Sequence, residues 1–348
     1  MIMLGIDAHK RTHTVVAVDE LGRRLAVKTT TATTTKDHLE LIQWADQFGT
    51  ERTWAVEDCR HLSRRLERDM LAAGERLVRV PPKMMAHSRD SARTYGKSDP
   101  IDALAVARAA LREPGLPTAY LDEPARELRL LVDHREDLIA ERTRHINRLR
   151  RHLHDINPSW APKDRALTTM KHLRQTQERL AELDTVVARI AKDQVERIRA
   201  LTIEINALEA ELDERTTSVA PHLRQVHGVA AVSAAKFIGE VAGIARFRSR
   251  HAFARHNGTA PTPVWSGNTE RHRLSPAGTR QLNAAIHRVA LTQARSWADA
   301  RAYLDRRQQA GATRKEAIRS LKRRISDTIY RAMLADAQAH EGHQLRAA

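Results

Sequence analysis

The chain has 348 residues, 59 Lys and Arg against 43 Asp and Glu, a net charge of +16 and a pI near 10.6. Its length allows two or three domains with cores of their own, and its arginine-dominated charge points to nucleic acid held by salt-sensitive phosphate contacts. A single cysteine, Cys59, excludes an internal disulfide and a cysteine zinc knuckle, and only 4% aromatic residues argue against a stacking platform for single strands. The most apolar stretch, Val229–Ala245, carries Lys236 and Glu240 and so is no membrane span. The chain begins directly with a strand pattern and shows no signal peptide, so a cytoplasmic setting is expected.

The first part alternates strand and helix patterns. Met3–Asp7, His13–Asp19 and Arg24–Thr30 read as strands, with Leu21-Gly22 turning the second into the third. A helix over Lys36–Phe48 stops at Gly49. A fourth strand spans Arg52–Glu57, an amphipathic helix spans His61–Ala73, and a fifth strand over Arg76–Val80 is closed by Pro81-Pro82. Helical stretches follow over Lys83–Thr94 and Ile101–Arg112. Three strands, helix, strand, helix, strand, helix is the element order of the RNase-H-like fold. Glu113-Pro114-Gly115-Leu116-Pro117 reads as a linker.

Four acids stand out in this part: Asp7 in GIDAHK, Glu57 in AVEDCR, and Asp99 and Asp102 in GKSDPIDA. Two lie at strand ends. The other two are three residues apart at a helix start and share one helix face. Converging carboxylates repel one another and require a cation. Hard oxygen donors of this kind suit Mg²⁺, with Mn²⁺ as a substitute, and paired ions on such a cluster drive phosphoryl transfer. Lys10 and Lys97 flank the acids, where they would touch DNA or balance charge.

The middle of the chain is helical. Leu131, Leu138, Ile146, Leu149, Leu153 and Ile156 form one apolar seam that ends at Pro158, and Leu183 to Leu212 form a second. Their spacing suits a coiled-coil hairpin or a dimer arm. The first seam is flanked by Arg142, Arg144, Arg148, Arg150 and Arg151 with no acid from Arg142 to His154, which suits contact with a nucleic-acid backbone. Beyond Thr216 the small-residue segment VHGVAAVSAAKFIGEVAG has a helix-hairpin-helix-like pattern, able to grip phosphate through backbone amides. A Gly/Pro/Ser-rich loop flanked by helices follows, with Arg271, Arg273, Arg280 and Arg288 close by. A basic amphipathic helix then covers Arg314–His340.

In order, GIDAHK, AVEDCR, GKSDPIDA, the helical seams, HGVAAVSAAKFIGE, NGTAP and WSGNTERHRLSPAGTRQLNAAIH resemble the DEDD-type insertion-sequence transposases with a C-terminal serine domain, the bridge-RNA-guided recombinases. The resemblance spans nearly the whole chain. It implies an α/β RNase-H-like domain over 1–120 carrying the tetrad, a helical coiled-coil region over 121–215 and a mostly helical serine transposase domain over 216–348. It implies that Asp7, Glu57, Asp99 and Asp102 hold Mg²⁺ and that Ser266 is the nucleophile, forming a covalent phosphoserine intermediate on DNA. It further implies donor and target DNA, a structured bridge RNA that pairs with both, and a dimer or tetramer.

Two positions depart from the family pattern. Gly228–Ala230 reads Gly-Val-Ala where Gly-Val-Gly is frequent, which puts a backbone–phosphate contact in doubt. Trp265 precedes Ser266 where many members carry a second serine, which leaves Ser266 alone as nucleophile. Ser275 reads as a helix cap. Arg142, Arg148, Arg151, Arg271, Arg273 and Arg280 are the expected DNA or RNA contacts. The competing readings are a metal-dependent, junction-resolvase-like nuclease using water, and a non-catalytic nucleic-acid scaffold.

Overall fold

The computed structural model describes residues 1–31, 34–57, 60–81, 84, 98–113, 115–116, 118–119, 122–266, 269–273 and 278–347. Cys59, Lys97, Ser275 and, apart from Met84, the helix expected over 83–94 lie outside them. The chain divides into two compact units, Met1–Leu121 and Asp122–Ala348.

In the first unit, strands β1 (Ile2–Ala8), β2 (Thr12–Val18), β3 (Arg24–Thr31), β4 (Arg52–Glu57) and β5 (Leu77–Val80) form one sheet in the order β3-β2-β1-β4-β5. β2 is antiparallel to both neighbours, while β4 and β5 run parallel to β1. This order and polarity are those of the RNase-H-like sheet expected from the sequence. The central strands are buried on both faces, which is why they read as unbroken apolar runs. Helices α1 (Thr35–Ala45) and α2 (Arg60–Ala72) cover one face. There Leu41, Ala45, Leu66 and Met70 pack on Leu4, Ile6, Val15 and Trp54. The other face takes helix α3 (Asp99–Arg112), whose Ala103, Val106, Ala107 and Ala110 meet Met3, Val16, Ala55 and Val80.

Gly5 sets the distance between α3 and the sheet. A Cβ at this position would lie 2.2 Å from the Ala103 carbonyl oxygen and 2.5 Å from the Ala107 nitrogen, so the helix backbone rests directly on the strand backbone. On the opposite face Glu67 of α2 accepts from Arg79 of β5 at 3.0 Å, a buried ion pair completed by the Ser63 hydroxyl at 2.6 Å. Both charges keep partners there, so the pair fixes α2 on β5 without leaving an ion bare.

The second unit is nearly all helical. Helices α4 (Glu123–Ile156) and α6 (Val186–Val219) lie antiparallel, tied by Arg135 to Glu209, Arg142 to Thr202 at 3.3 Å and His145 to Gln194 at 2.8 Å. Within the stretch expected to be helical, a separate helix that the sequence pattern does not delimit, α5 (Met170–Ala181), closes one end of this pair through Leu173 and Leu180 against Leu149, Leu153 and Val195. Its apolar positions are few, and they blend into the flanking seams when read as sequence.

At the other end of the pair the short α7 (Pro221–Arg224) leads into α8 (Ala231–Val241). Gly239 lets α8 touch α4, since a Cβ there would sit 2.7 Å from that of Arg129. Lys236 is buried, with its ammonium 3.1 Å from Glu136 and 3.4 Å from Asp133 of α4. The helices α9 (Arg250–His256), α10 (Arg280–Ser296), α11 (Ala298–Gln309) and α12 (Arg314–Ala347) complete a core around Phe237, Phe253, Ile286 and Ile329.

The segment expected to be a loop contains a two-stranded hairpin instead, β6 (Thr262–Ser266) and β7 (Thr269–Arg273). Thr262, Val264, Trp265 and Thr269 are the β-branched and aromatic residues that favour strand. The neighbouring Gly, Pro and Ser hid them. Among the described residues no helix is long and apolar enough to cross a membrane.

Gly5→Ala is expected to destabilise the first unit by at least ~1–3 kcal/mol, the usual cost of overpacking, because the atom it meets is a backbone carbonyl that cannot rotate away. Urea unfolding measures this, and an unchanged midpoint would show that α3 can lift off without loss.

Candidate active site

The face of β1 under α3 carries Met3, Gly5 and Asp7 by strand alternation, and His9 continues the same series just past the strand end. Gly5 admits Ala103 and Ala107 of α3. Asp99 stands one turn before Ala103 and Asp102 immediately before it, so the contact that seats the helix also delivers its acids to Asp7. Ser98 in extended conformation and Pro100 in the first turn start the helix at this point. The acids fall in its first turn, where the helix dipole favours negative charge.

Asp7, His9 and Asp99 each present one ligand atom, all within 4.8 Å of one another. His9 Nε2 lies 2.9 Å from Asp7 Oδ2 and 3.5 Å from Asp99 Oδ1. Asp7 and Asp102 are buried, whereas about half of the Asp99 side chain is open to solvent. Burial pushes the Asp7 carboxyl above its ordinary range. His9 opposes this by charge and hydrogen bond, and Asp102 and Asp99 push it further up. A buried carboxylate raised in this way by two acidic neighbours is a group that binding of a cation would relieve.

Glu57 ends β4, one residue past the Ile6–Val56 pair that sets β1 beside β4, and is half-buried. It stands at the same edge of the sheet as Asp7 but outside the group of three. His9 is the residue that reading the sequence overlooked. Its signal was present, since a residue two positions after Asp7 shares its face when a strand carries on.

The other expected residues are distributed as follows. Lys10 is exposed, two residues past the end of β1. Arg148 and Arg151 are exposed on α4, while Arg142 on the same helix turns to the Thr202 hydroxyl. Arg280 is the exposed first residue of α10. Ser266 ends β6 and Arg271 and Arg273 lie in β7, all in the second unit and placed by their backbones. The donor set fits a hard divalent ion: carboxylate oxygens with one imidazole, converging and partly open to solvent on the Asp99 side.

Comparison with known proteins gives the following similarities. A transposase family model, the DEDD domain of IS110 type, matches residues 4–158, and one described as the transposase IS116/IS110/IS902 family matches residues 220–305. The uncharacterized 44.8 kDa protein of insertion element IS116 from Streptomyces clavuligerus is 28% identical over 381 residues, covering 96% of this chain and 95% of its own. The uncharacterized 42 kDa protein of insertion element IS900 from Mycobacterium paratuberculosis is 28% identical over 388 residues, covering 96% of each chain. Among solved structures, T. thermophilus RuvC in complex with a Holliday junction substrate aligns with 34% of this chain and 99% of its own, at 15% identity and a TM-score of 0.27.

The acid-bearing sheet and the two family matches define a transposase, an enzyme that cuts and recombines DNA. The chain belongs to the IS110/IS116/IS902 transposase family.

The direction of the Asp7 shift gives a test. A folded carboxyl raised above its unfolded value adds stability below the unfolded pKa, and this stability is lost as pH rises through the folded one. At neutral pH without divalent ions the ionised Asp7 therefore opposes folding. Asp7→Asn should raise the melting temperature in chelator by a few degrees and abolish the further rise expected when a divalent ion is added to the parent protein. A lower melting temperature in chelator would mean that Asp7 acts as a structural acceptor for His9.

Proposed function

We propose that this transposase cleaves and exchanges DNA strands in a Mg²⁺-dependent reaction through a covalent phosphoserine intermediate, guided by a structured RNA. The observation that carries the reading is the convergence of Asp7, Asp99 and His9 beneath Gly5-seated α3, with Asp102 buried beside them. Asp7, Glu57, Asp99 and Asp102 would hold the metal. Bound there, Mg²⁺ or Mn²⁺ supplies Lewis acidity and offsets charge on the phosphate.

The chain's own groups divide the remaining work. The Ser266 hydroxyl gives up its proton and forms the Oγ–P bond while the P–O3′ bond of DNA breaks. The departing O3′ takes a proton. A second DNA 3′-hydroxyl then attacks the phosphoserine, forms a new P–O3′ bond and returns Oγ to the hydroxyl, so no external energy source is required. A serine hydroxyl is a weak nucleophile near neutral pH, which is why it has to meet the acid cluster. His9, 2.9 Å from Asp7, is suited to orient that carboxylate.

The two halves of the chemistry stand in different units of the chain, and a dimer or tetramer would let one copy serve another. We read residues 121–215 as a coiled-coil arm for that assembly and 216–348 as the serine domain, with 1–120 carrying the acids. Arg148 and Arg151, exposed on α4, and Arg271 and Arg273 of β7 and Arg280 of α10 suit backbones of donor DNA, target DNA and guide RNA. Lys10 and Lys97, which flank the acids in the sequence, would serve the same purpose. The segment between α7 and α8 is the one whose sequence we read as helix-hairpin-helix-like and suited to a further phosphate. Such work places the protein in the cytoplasm on the nucleoid of its host, as the product of an insertion element.

Purified protein, Mg²⁺, RNA from the flanks of its own gene and labelled junction and target DNA should yield a protease-sensitive protein–DNA adduct on a denaturing gel. Ser266→Ala and Asp102→Asn should each reduce it to background. Free nicked DNA with no adduct, unchanged in Ser266→Ala, would replace the serine mechanism with hydrolysis by water.

A further inference from the structure

Lys322 of α12 is buried at 6% exposure, and among the described residues no carboxylate pairs with it. Its ammonium donates to Asn283 Oδ1 of α10 at 2.5 Å. Burial lowers its pKa. His287, one turn beyond Asn283, is lowered in turn by its own burial and by the Lys322 charge. A buried cation without a counter-ion is costly, so its hydrogen bond to one amide calls for a reason.

Asn283 passes the interaction on. Its Nδ2 donates to the backbone carbonyls of Asn257 at 2.9 Å and Gly258 at 3.1 Å. Asn257 is itself wholly buried and donates to Ser326 Oγ of α12 at 2.8 Å, while its own Oδ1 accepts from the Thr259 amide and hydroxyl. An ammonium on the amide oxygen polarises the amide and strengthens what its nitrogen donates.

The carbonyls held in this way lie just before β6. The chain returning from β7 arrives at the same place. A Cβ on Gly278 would fall 2.1 Å from the Gly258 nitrogen, so the two backbones touch, and the Thr279 amide donates to the His256 carbonyl at 2.7 Å. Both ends of the hairpin are therefore gathered over Asn283 and Lys322. Ser266 pairs with Thr269 at the far end of the ladder, and Thr262 pairs with Arg273 at the near end. At ~3.3 Å per residue Ser266 stands ~13 Å out, and a tilt of ~10° at the base moves it by ~2 Å. A two-stranded ribbon has little stability of its own, so its aim depends on how its base is held.

We propose that Lys322 is a positioning residue for the β6–β7 hairpin, acting through Asn283 on the Asn257 and Gly258 carbonyls. Its bearing on catalysis rests on the reading of Ser266 as nucleophile. The test is made on the full chain with its single cysteine removed, Cys59→Ser. Nitroxide labels go on Ser266→Cys and on Leu291→Cys of α10, which is exposed. The distance distribution between the labels is measured with Lys322→Met or Asn283→Asp added. Asn283→Asp keeps a partner for the ammonium while removing the donors to both carbonyls, so it tests the brace even if Lys322→Met fails to fold.

Both variants should broaden the distribution. Each, placed in the Ser266 protein, should slow adduct formation at saturating DNA by ~10²-fold, the usual cost of a misplaced reacting group, without weakening DNA binding. An unchanged distribution, or a loss in DNA affinity alone, overturns the proposal. A broadened distribution in a protein whose parent never forms the adduct upholds the brace and removes the serine reading.

Discussion

The site depends on the absence of one side chain. Gly5 lies where β1 passes under α3, and the helix carbonyl of Ala103 occupies the space a Cβ would need. Nearly everything α3 presents to the sheet is correspondingly small: Ala103, Val106, Ala107 and Ala110. Close approach brings the backbones together and carries Asp99 and Asp102, which open the helix, to the level of Asp7. A larger residue anywhere in this stripe would separate the acids before it disturbed the sheet. The packing of an apolar interface and the spacing of a charged site are thus one geometrical quantity.

That geometry is electrostatically unfavourable in the bare protein. Two of the acids are buried, and burial and mutual repulsion hold Asp7 in a raised state that His9 only partly relieves. The fold compensates elsewhere. Glu67, with Arg79, in the sheet unit and Lys236, with Asp133 and Glu136, in the helical one are buried charges that do have counter-ions. The contrast separates carboxylates that meet a basic partner from carboxylates crowded against one another.

Most of the first unit was legible in the sequence because its strands are buried on both faces and its helices are bounded by caps and glycines. Runs such as MLGI and TVVAV have few other structures open to them. The acids Asp7, Asp99 and Asp102 were legible for a related reason, since a polar residue ending a buried run, or paired at three-residue spacing at a helix start, breaks a pattern. His9 broke no pattern and was missed. The hairpin β6–β7 was hidden because its strand-forming residues are scattered among Gly, Pro and Ser, and only their pairing across the turn reveals them. Helix α5 was absorbed into the long seams because Leu173 and Leu180 acquire meaning only against α4 and α6. Local pattern reports which face of an element is buried, and it is silent on which distant element does the burying.

The contact at Gly5 joins the first strand of the unit to its last helix. During synthesis β1 leaves the ribosome early, and the chain then passes through four more strands before α3 follows. Until then Asp7 has neither Asp99 nor Asp102 beside it, and the α3 face of the sheet is bare. A nascent or prematurely ended polypeptide therefore carries Asp7 without the acids that stand beside it in the finished fold. The acid cluster is assembled only when the whole unit has been made.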